Sequence, residues 1–391
     1  MSVASSVSVR EATSREATEW DSIVKRFPNH RITHLTPWIN SLVDAGIGKP
    51  LLLVTERDGD IVACTPGLLT RLGPLRLFGS PLPGWQTLGM GPAFDPSRIG
   101  SHELVSGVVS YVERKHGVHH IEMVSNSLAV NDMESLGFRE ELLISLVAPM
   151  NPHDVQGTFK AMKDSAKRNI KRAEKKLGLL VRFEDDEDFV QEHYDQITEV
   201  FARGGNVVPF GMTRFRAFMD RMRDAGSLVA LSVLLPDNET RIATGTFTIA
   251  SDELVLWMWA HRTAYRWHRP SELLTWSAMK KGMEAGCTSV DFMGRGDFKA
   301  VFGATPNLDK HRWVRSRFPV LVQARDLAQR GYRWQQAARG RLARMRYEMA
   351  GAFRPEVEGG AGAGGGTAES SGSSGTAAAI DGGQDGSRAS G

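Results

Sequence analysis

At 391 residues, 41% of them hydrophobic and 24% charged, the chain has the make-up of a globular protein too long for one compact core, and two domains are expected. A formal net charge of +3 is small for this size, so no bulk electrostatic pull toward nucleic acid or acidic membranes is required; DNA is not an expected partner, and local patches decide the rest. Aliphatic runs such as Leu51 to Val54 fall far short of the ~20 residues of a membrane span. Residues 1–19 lack the apolar stretch of a secretory signal, and the two cysteines, Cys64 and Cys287, have no metal-ligand neighbours, so a cytoplasmic protein without disulfides or metal is expected.

In chain order, Leu51 to Thr55 and Ile61 to Leu69 are β-rich runs around Asp58-Gly59, a strong hairpin signal. From Ser101 an amphipathic helix runs to a stop at Gly117 and a short strand carrying Ile121-Glu122. Thr158 to Leu177 reads as one helix, with Ile170, Ala173 and Leu177 on one face and Lys163, Lys167, Lys171 and Lys175 on another. It is either a solvated inter-domain helix or a phosphate-facing patch, because Lys167, Arg168, Lys171 and Arg172 crowd into two turns. Leu228 to Leu235, Arg241 to Ile249 and Leu254 to His261 form a meander of strands joined by Pro236-Asp237-Asn238 and Ser251-Asp252.

The passage from Pro270 matches the passage from Ser101 without a gap: Glu103-Leu104 aligns with Glu272-Leu273, Gly117 with Gly286, and Ile121-Glu122 with Val290-Asp291. Two copies of one α/β unit are expected. Val320 to Phe353 is a basic amphipathic helix with a break expected near Gly331; it either packs on the body with a solvated arginine face or docks on an anionic membrane or RNA. Beyond it, Gly, Ala, Ser and Thr dominate and disorder is expected. The expected division is 1–150, 151–319, a basic helix over 320–354 and a tail over 355–391.

The stretch SELLTWSAMKKGMEAGCTSVDFMGRGDFKAVFGA resembles the C-terminal signature of Fem-type peptidoglycan bridge transferases and of CelD/BcsL-like acetyltransferases, both in the GNAT-like superfamily. The residues that carry it are Leu273-Leu274-Thr275-Trp276, Gly286, Asp291-Phe292-Met293-Gly294, Phe298-Lys299 and Phe302-Gly303. SAKRNIKRAEKK is similar to the family's basic helix, THLTPWINSL to the start of its first domain, and Phe201 to Asn206 to an aromatic-to-Arg stretch that includes Arg203. The resemblance implies an α/β fold of two tandem GNAT-like domains, each a mixed, largely antiparallel sheet flanked by helices. The first would shape the acceptor side and the second would hold the chemistry.

It further implies N-acyl transfer from an activated donor to an amine of a cell-envelope glycan, polysaccharide or peptidoglycan precursor. The expected donor is acyl-CoA, by the CelD-like resemblance and because the heptad arm that Fem-type proteins carry for tRNA is not seen here; aminoacyl-tRNA is the alternative, by the missing glycine-rich grip and the basic Lys160 to Lys176 helix. Instead of glycines, Tyr265, Arg266, Trp267, His268 and Arg269 precede the helix that starts near Pro270-Ser271, so phosphates would meet side chains as well as Ser271 and the helix amides. Lys299 is the leading catalytic candidate, matching the family lysine at the donor phosphate or developing oxyanion. Asp297 either orients it or caps a helix, and His261 is a general base or a structural histidine. Gly294 and Arg295 form a turn that offers a phosphate ligand, and Lys167, Arg168, Arg203 and Asn206 complete the donor and substrate set. Trp257, Trp259, Trp267 and Trp276 are expected in the core or cleft wall. A rival class is a non-catalytic GNAT scaffold that binds RNA or an envelope partner, and basic helices would contact tRNA or the membrane's inner face.

Overall fold

In the computed structural model, residues 7–353 are described apart from Leu88 and Asp185; the expected tail from 355 lies outside them. The chain divides into two units, one reaching to Ser145 and joined by Asn307–Leu327, the other Leu146–Pro306 continued from Ala328.

The first unit begins with β1 (Val7–Glu11), the short helices α1 (Ser14–Thr18) and α2 (Trp20–Val24), and α3 (Thr36–Asp44). β2 (Lys49–Arg57) and β3 (Asp60–Leu72) follow. The turn between them places Asp58 at φ 53° and Gly59 at φ 88°, the two positive values that twist a tight hairpin correctly and that Asp-Gly tolerates. Then come β4 (Leu75–Ser80), β5 (Ala93–Phe94), α4 (Ser101–His116), β6 (His120–Ser125), α5 (Val130–Ser135) and β7 (Arg139–Pro149). α4 buries Leu104, Val105, Val108, Val109 and Val112 at helical spacing, ends at left-handed Gly117 and leads into β6, which lies parallel to β4.

In the second unit the expected helix 158–177 is two pieces, α6 (Val155–Ala161) and α7 (Asp164–Lys171), the latter running into a π-turn over Arg172–Lys176. The break falls at extended Met162, whose side chain is buried in the core, and Lys163 N donates to Val301 O (2.9 Å) before α7 starts. β8 (Leu180–Phe183), α8 (Glu187–Arg203) and α9 (Met212–Asp224) precede the anticipated meander, β9 (Leu228–Leu234), β10 (Arg241–Ala250) and β11 (Glu253–His261). α10 (Pro270–Glu284) then packs on the sheet through Leu273, Leu274, Ala278 and Met279, and β12 (Ser289–Asp291) returns parallel to β11. The ladder runs β12-β11-β10-β9-β8, and Val147–Pro149 of β7 pair with β12.

β13 (Thr305–Ser316) lies between β6 and β7, so residues 307–327 group with the first unit, whereas the sequence division ended at 319. The last element is α11 (Pro319–Met349), unbroken at Gly331 because the ladder of a long exposed helix absorbs one glycine at a cost of ~1 kcal/mol. Each unit is thus a mixed, largely antiparallel sheet in which a helix links one parallel pair, β4-α4-β6 and β11-α10-β12. The ungapped sequence match is this repeated unit.

Candidate acyl-transfer site

Beside β12 the second sheet opens. β11 pairs with β12 only through Glu253–Val255, opposite Ser289–Asp291, and then continues to His261 while the chain after β12 turns away. A register shift against β10 leaves Trp257 as an extra residue in β11, which bends the strand further. The departing chain turns through Met293 (φ 49°), Gly294 (φ 58°) and Gly296 (φ 148°) into a 3-10 turn over Lys299–Phe302. Phe298 stacks on Trp259 of β11 (4.9 Å between centroids), and Phe292 and Phe298 both pack on Phe302.

Lys299 is buried among these rings. Its Nζ donates to Met293 O and more weakly to Gly294 O (3.5 Å). Burial pulls its pKa down to about 8, with the nearby Asp291 pulling back. Asp291 is fully buried and accepts from Met293 N (2.8 Å), which holds the first turn of the loop. Gly294 is part of this loop, while Arg295 and Asp297 point to solvent. The turn after Asp297 has no side-chain cap; Asp297 contributes only its carbonyl, to Ala300 N (3.2 Å).

His261, at the end of β11, is held from both sides. Arg203 Nη1 donates to its Nε2 (3.2 Å), and since a guanidinium can only donate, Nε2 accepts and Nδ1–H donates to Ser271 Oγ (3.1 Å). Desolvation, then Arg203, Arg269 and Arg266, push its pKa down to about 3, so the ring is neutral. Burial also lowers the pKa of Arg203, which shares its Nη1 with Thr263 Oγ1 (3.4 Å).

The start of α10 is partly filled by the protein itself. Pro270 has no N–H to offer, Arg269 sits left-handed at φ 53°, and the buried Glu272 carboxyl accepts from Asn169 Nδ2 of α7 (2.8 Å) and from its own N–H. Desolvation raises the pKa of Glu272. The sequence pointed to this helix start as a phosphate seat and already set Glu272 near it; the bond from Asn169 came only with the structure.

The other expected residues scatter over this unit. Lys167 donates to Lys160 O (3.0 Å) and pairs with Asp164 (2.9 Å), and Arg168 is exposed beside it. Asn206 is exposed and donates to Gly204 O (3.1 Å). Tyr265 and His268 contact edge to face, and Arg266 lies over Trp267 (4.8 Å). Trp267 is exposed, unlike the buried Trp257, Trp259 and Trp276, because it sits on the outward side of a short 3-10 turn. Sequence reasoning missed Glu192 and Glu199, one helical face of α8, which grip Arg262 through bonds of 2.7 and 3.1 Å while Glu199 also accepts from Thr263 N (2.6 Å). Their i, i+7 spacing opposite a strand-end arginine was the available signal.

Residues 160–302 match the family model described as an acetyltransferase (GNAT) domain. Among solved structures the chain is similar to FemX, with 14% identity over 78% of this chain and 96% of that one at a TM-score of 0.63. A conserved protein of unknown function from Bacteroides thetaiotaomicron matches with 10% identity over 79% and 99% at 0.51, and a tandem GNAT protein from the clavulanic acid biosynthesis pathway with 11% over 80% and 99% at 0.48. No curated protein matches the sequence. The chain carries a GNAT acyltransferase domain and is an acyltransferase of that type. Among the described residues no helix is long and apolar enough to cross a membrane, and no cluster of His, Cys, Asp and Glu suits a metal ion.

Proposed function

We propose that the second unit moves an acyl group from an activated ester or thioester to an amine, at the place where β11 and β12 part. The observation that carries this reading is a buried lysine with a pKa near 8 on the loop that leaves the parting strands. Positioning brings amine and carbonyl together, and the Lys299 ammonium offsets negative charge on the carbonyl oxygen as nitrogen attacks. The C–N bond forms as the donor's C–O or C–S bond breaks, releasing the donor as its alcohol or thiol; the proton lost by the attacking amine passes to solvent, a donor phosphate or that leaving group, since neutral His261 already has its lone pair engaged by Arg203.

For the donor, the filled start of α10 is the feature that bears on the choice. With Pro270 lacking an N–H and Glu272 in the first turn, a pyrophosphate finds few free amides there. That favours a donor gripped by side chains, Arg266, Arg269 and Arg168 among them, over a conventional CoA cradle. Aminoacyl-tRNA is therefore the favoured donor and acyl-CoA the alternative. The acceptor, on the family resemblance, is an amine of a cell-envelope precursor. Mass spectrometry of envelope precursors from cells with and without the protein tests the whole: a missing aminoacyl mass supports the reading, a missing acetyl or other acyl mass moves the donor to CoA, and unchanged precursors sink the acceptor assignment.

A further inference from the structure

α11 has two opposite faces. Gln336, Gly340, Ala343 and Tyr347 recur at spacings of 4, 3 and 4 and face inward. A Cβ at Gly340 would collide with the backbone of Gly205, so the helix lies directly on the loop after α8. On the other side, Leu327, Trp334, Leu342, Met345 and Met349 recur at spacings of 7, 8, 3 and 4 and form one outward stripe. They are 69%, 81%, 59%, 56% and 79% exposed. Scattered exposed apolar residues are ordinary, but a continuous stripe along one helix marks an interaction surface.

Its chemistry is specific. Arg330 and Arg341 flank the stripe on one side, and Arg339 and Arg346 on the other. From Leu327 to Met349 there are six arginines against one carboxylate, Glu348, which is already paired with Arg344 (2.7 Å). A second copy of the helix would bring arginine rows against each other. RNA would engage the guanidinium groups but leave Trp334, Leu342 and Met345 in water. Residues 354–391 hold only Val357 and Ile380 as large aliphatic residues, too few to cover the stripe. A bilayer with anionic headgroups satisfies both parts, apolar stripe in the acyl boundary and arginines on phosphates.

We infer that α11 docks the protein on an anionic membrane surface, lying in the interface with its outward stripe buried. Docking does not depend on acyl transfer, so either reading can fail alone. The test is co-sedimentation of the full chain with phosphatidylcholine vesicles, with and without phosphatidylglycerol. Binding is expected only with the anionic lipid and weakens with added salt. The triple variant Trp334→Ser, Leu342→Ser, Met345→Ser weakens it by about tenfold or more without changing Tm, because all three side chains are exposed. Arg339→Gln with Arg341→Gln and Arg346→Gln removes the anionic preference. The inference is overturned by any of three results: no vesicle binding at low salt, a triple serine variant that binds like the parent, or a lipid-free dimer that the serine variant abolishes. Tight RNA binding that survives the serine changes, with vesicles ignored, overturns it as well.

Discussion

The duplicated unit places a buried carboxylate at the same point twice, Glu122 on β6 and Asp291 on β12, and the two are used differently. Glu122 accepts from His120 (2.9 Å), Arg312 (2.9 Å) and Arg325 (2.7 Å). Burial alone would raise its pKa, but these partners hold it down at about 2. Asp291 instead faces Lys299, whose own pKa has fallen to about 8. The first carboxylate is locked in charge across the whole physiological range; beside the second, a proton can come and go near neutral pH. One scaffold position is a clamp in one copy and the edge of the proposed reaction site in the other.

The largest effect should come from the clamp. Glu122→Ala leaves Arg312 and Arg325 buried without their shared partner and should cost about 3–5 kcal/mol in denaturant unfolding. The pH dependence has a definite sign: a carboxylate whose folded pKa is lowered from 4.5 to about 2 contributes stability above about pH 4.5 and loses it as pH falls toward 2. Lys299→Met comes next, lowering kcat/KM by about 100- to 1000-fold, while stability holds or rises because an ammonium no longer needs to be desolvated. If instead Lys299→Met unfolds the chain and leaves the activity of the folded fraction intact, clamp and site have been assigned to the wrong copies.

Much of this contrast was legible in the sequence. The β2-β3 hairpin at Asp58-Gly59, the meander β9-β10-β11 and the glycine stops at 117 and 286 follow from local chemistry, so residues alone disclosed them. Lys299 lies eight residues after Asp291, within reach of any short loop. The partners of Glu122 lie at 312 and 325, delivered by β13 and α11, and no local pattern announces such a return. The break at Met162 was hidden for a similar reason. Helical periodicity carries on through it, and only tertiary contacts, the burial of Met162 and the bond from Lys163 N to Val301 O, select two helices over one. The candidate residues read alike: Lys299 and His261 sit on the local loop and strand end, but Arg203 and Asn169, which bond to His261 and Glu272, reach them from α8 and α7.

A smaller effect separates the two sides of the reaction site by pH. Raising pH through about 8 discharges Lys299, so a rate that needs its ammonium falls about tenfold per unit above that point. Below it, protonation of the acceptor amine slows attack, and kcat/KM should be bell-shaped; in Lys299→Met the alkaline limb disappears. A profile that keeps its alkaline limb in the variant would locate the titrating group elsewhere.

His261 should have the smallest effect, and the reason is geometric. Arg203 can only donate, so Nε2 of His261 has no free lone pair, and Nδ1–H is turned to Ser271 Oγ. With the folded pKa at about 3 against the usual 6.5, the ring prefers to be neutral in the fold. Its contribution to stability is therefore complete above about pH 6.5 and fades as pH falls toward 3. An amide reproduces both bonds, an oxygen for Arg203 and an N–H for Ser271, without any charge. His261→Gln should consequently keep kcat/KM within about threefold and leave the pH profile unchanged, whereas His261→Leu, which strands the Arg203 guanidinium, should cost stability by about 1–3 kcal/mol. A Gln variant that loses an inflection from the profile would show that the imidazole exchanges a proton during turnover, and Arg203 would then have to move away from Nε2 when substrate binds.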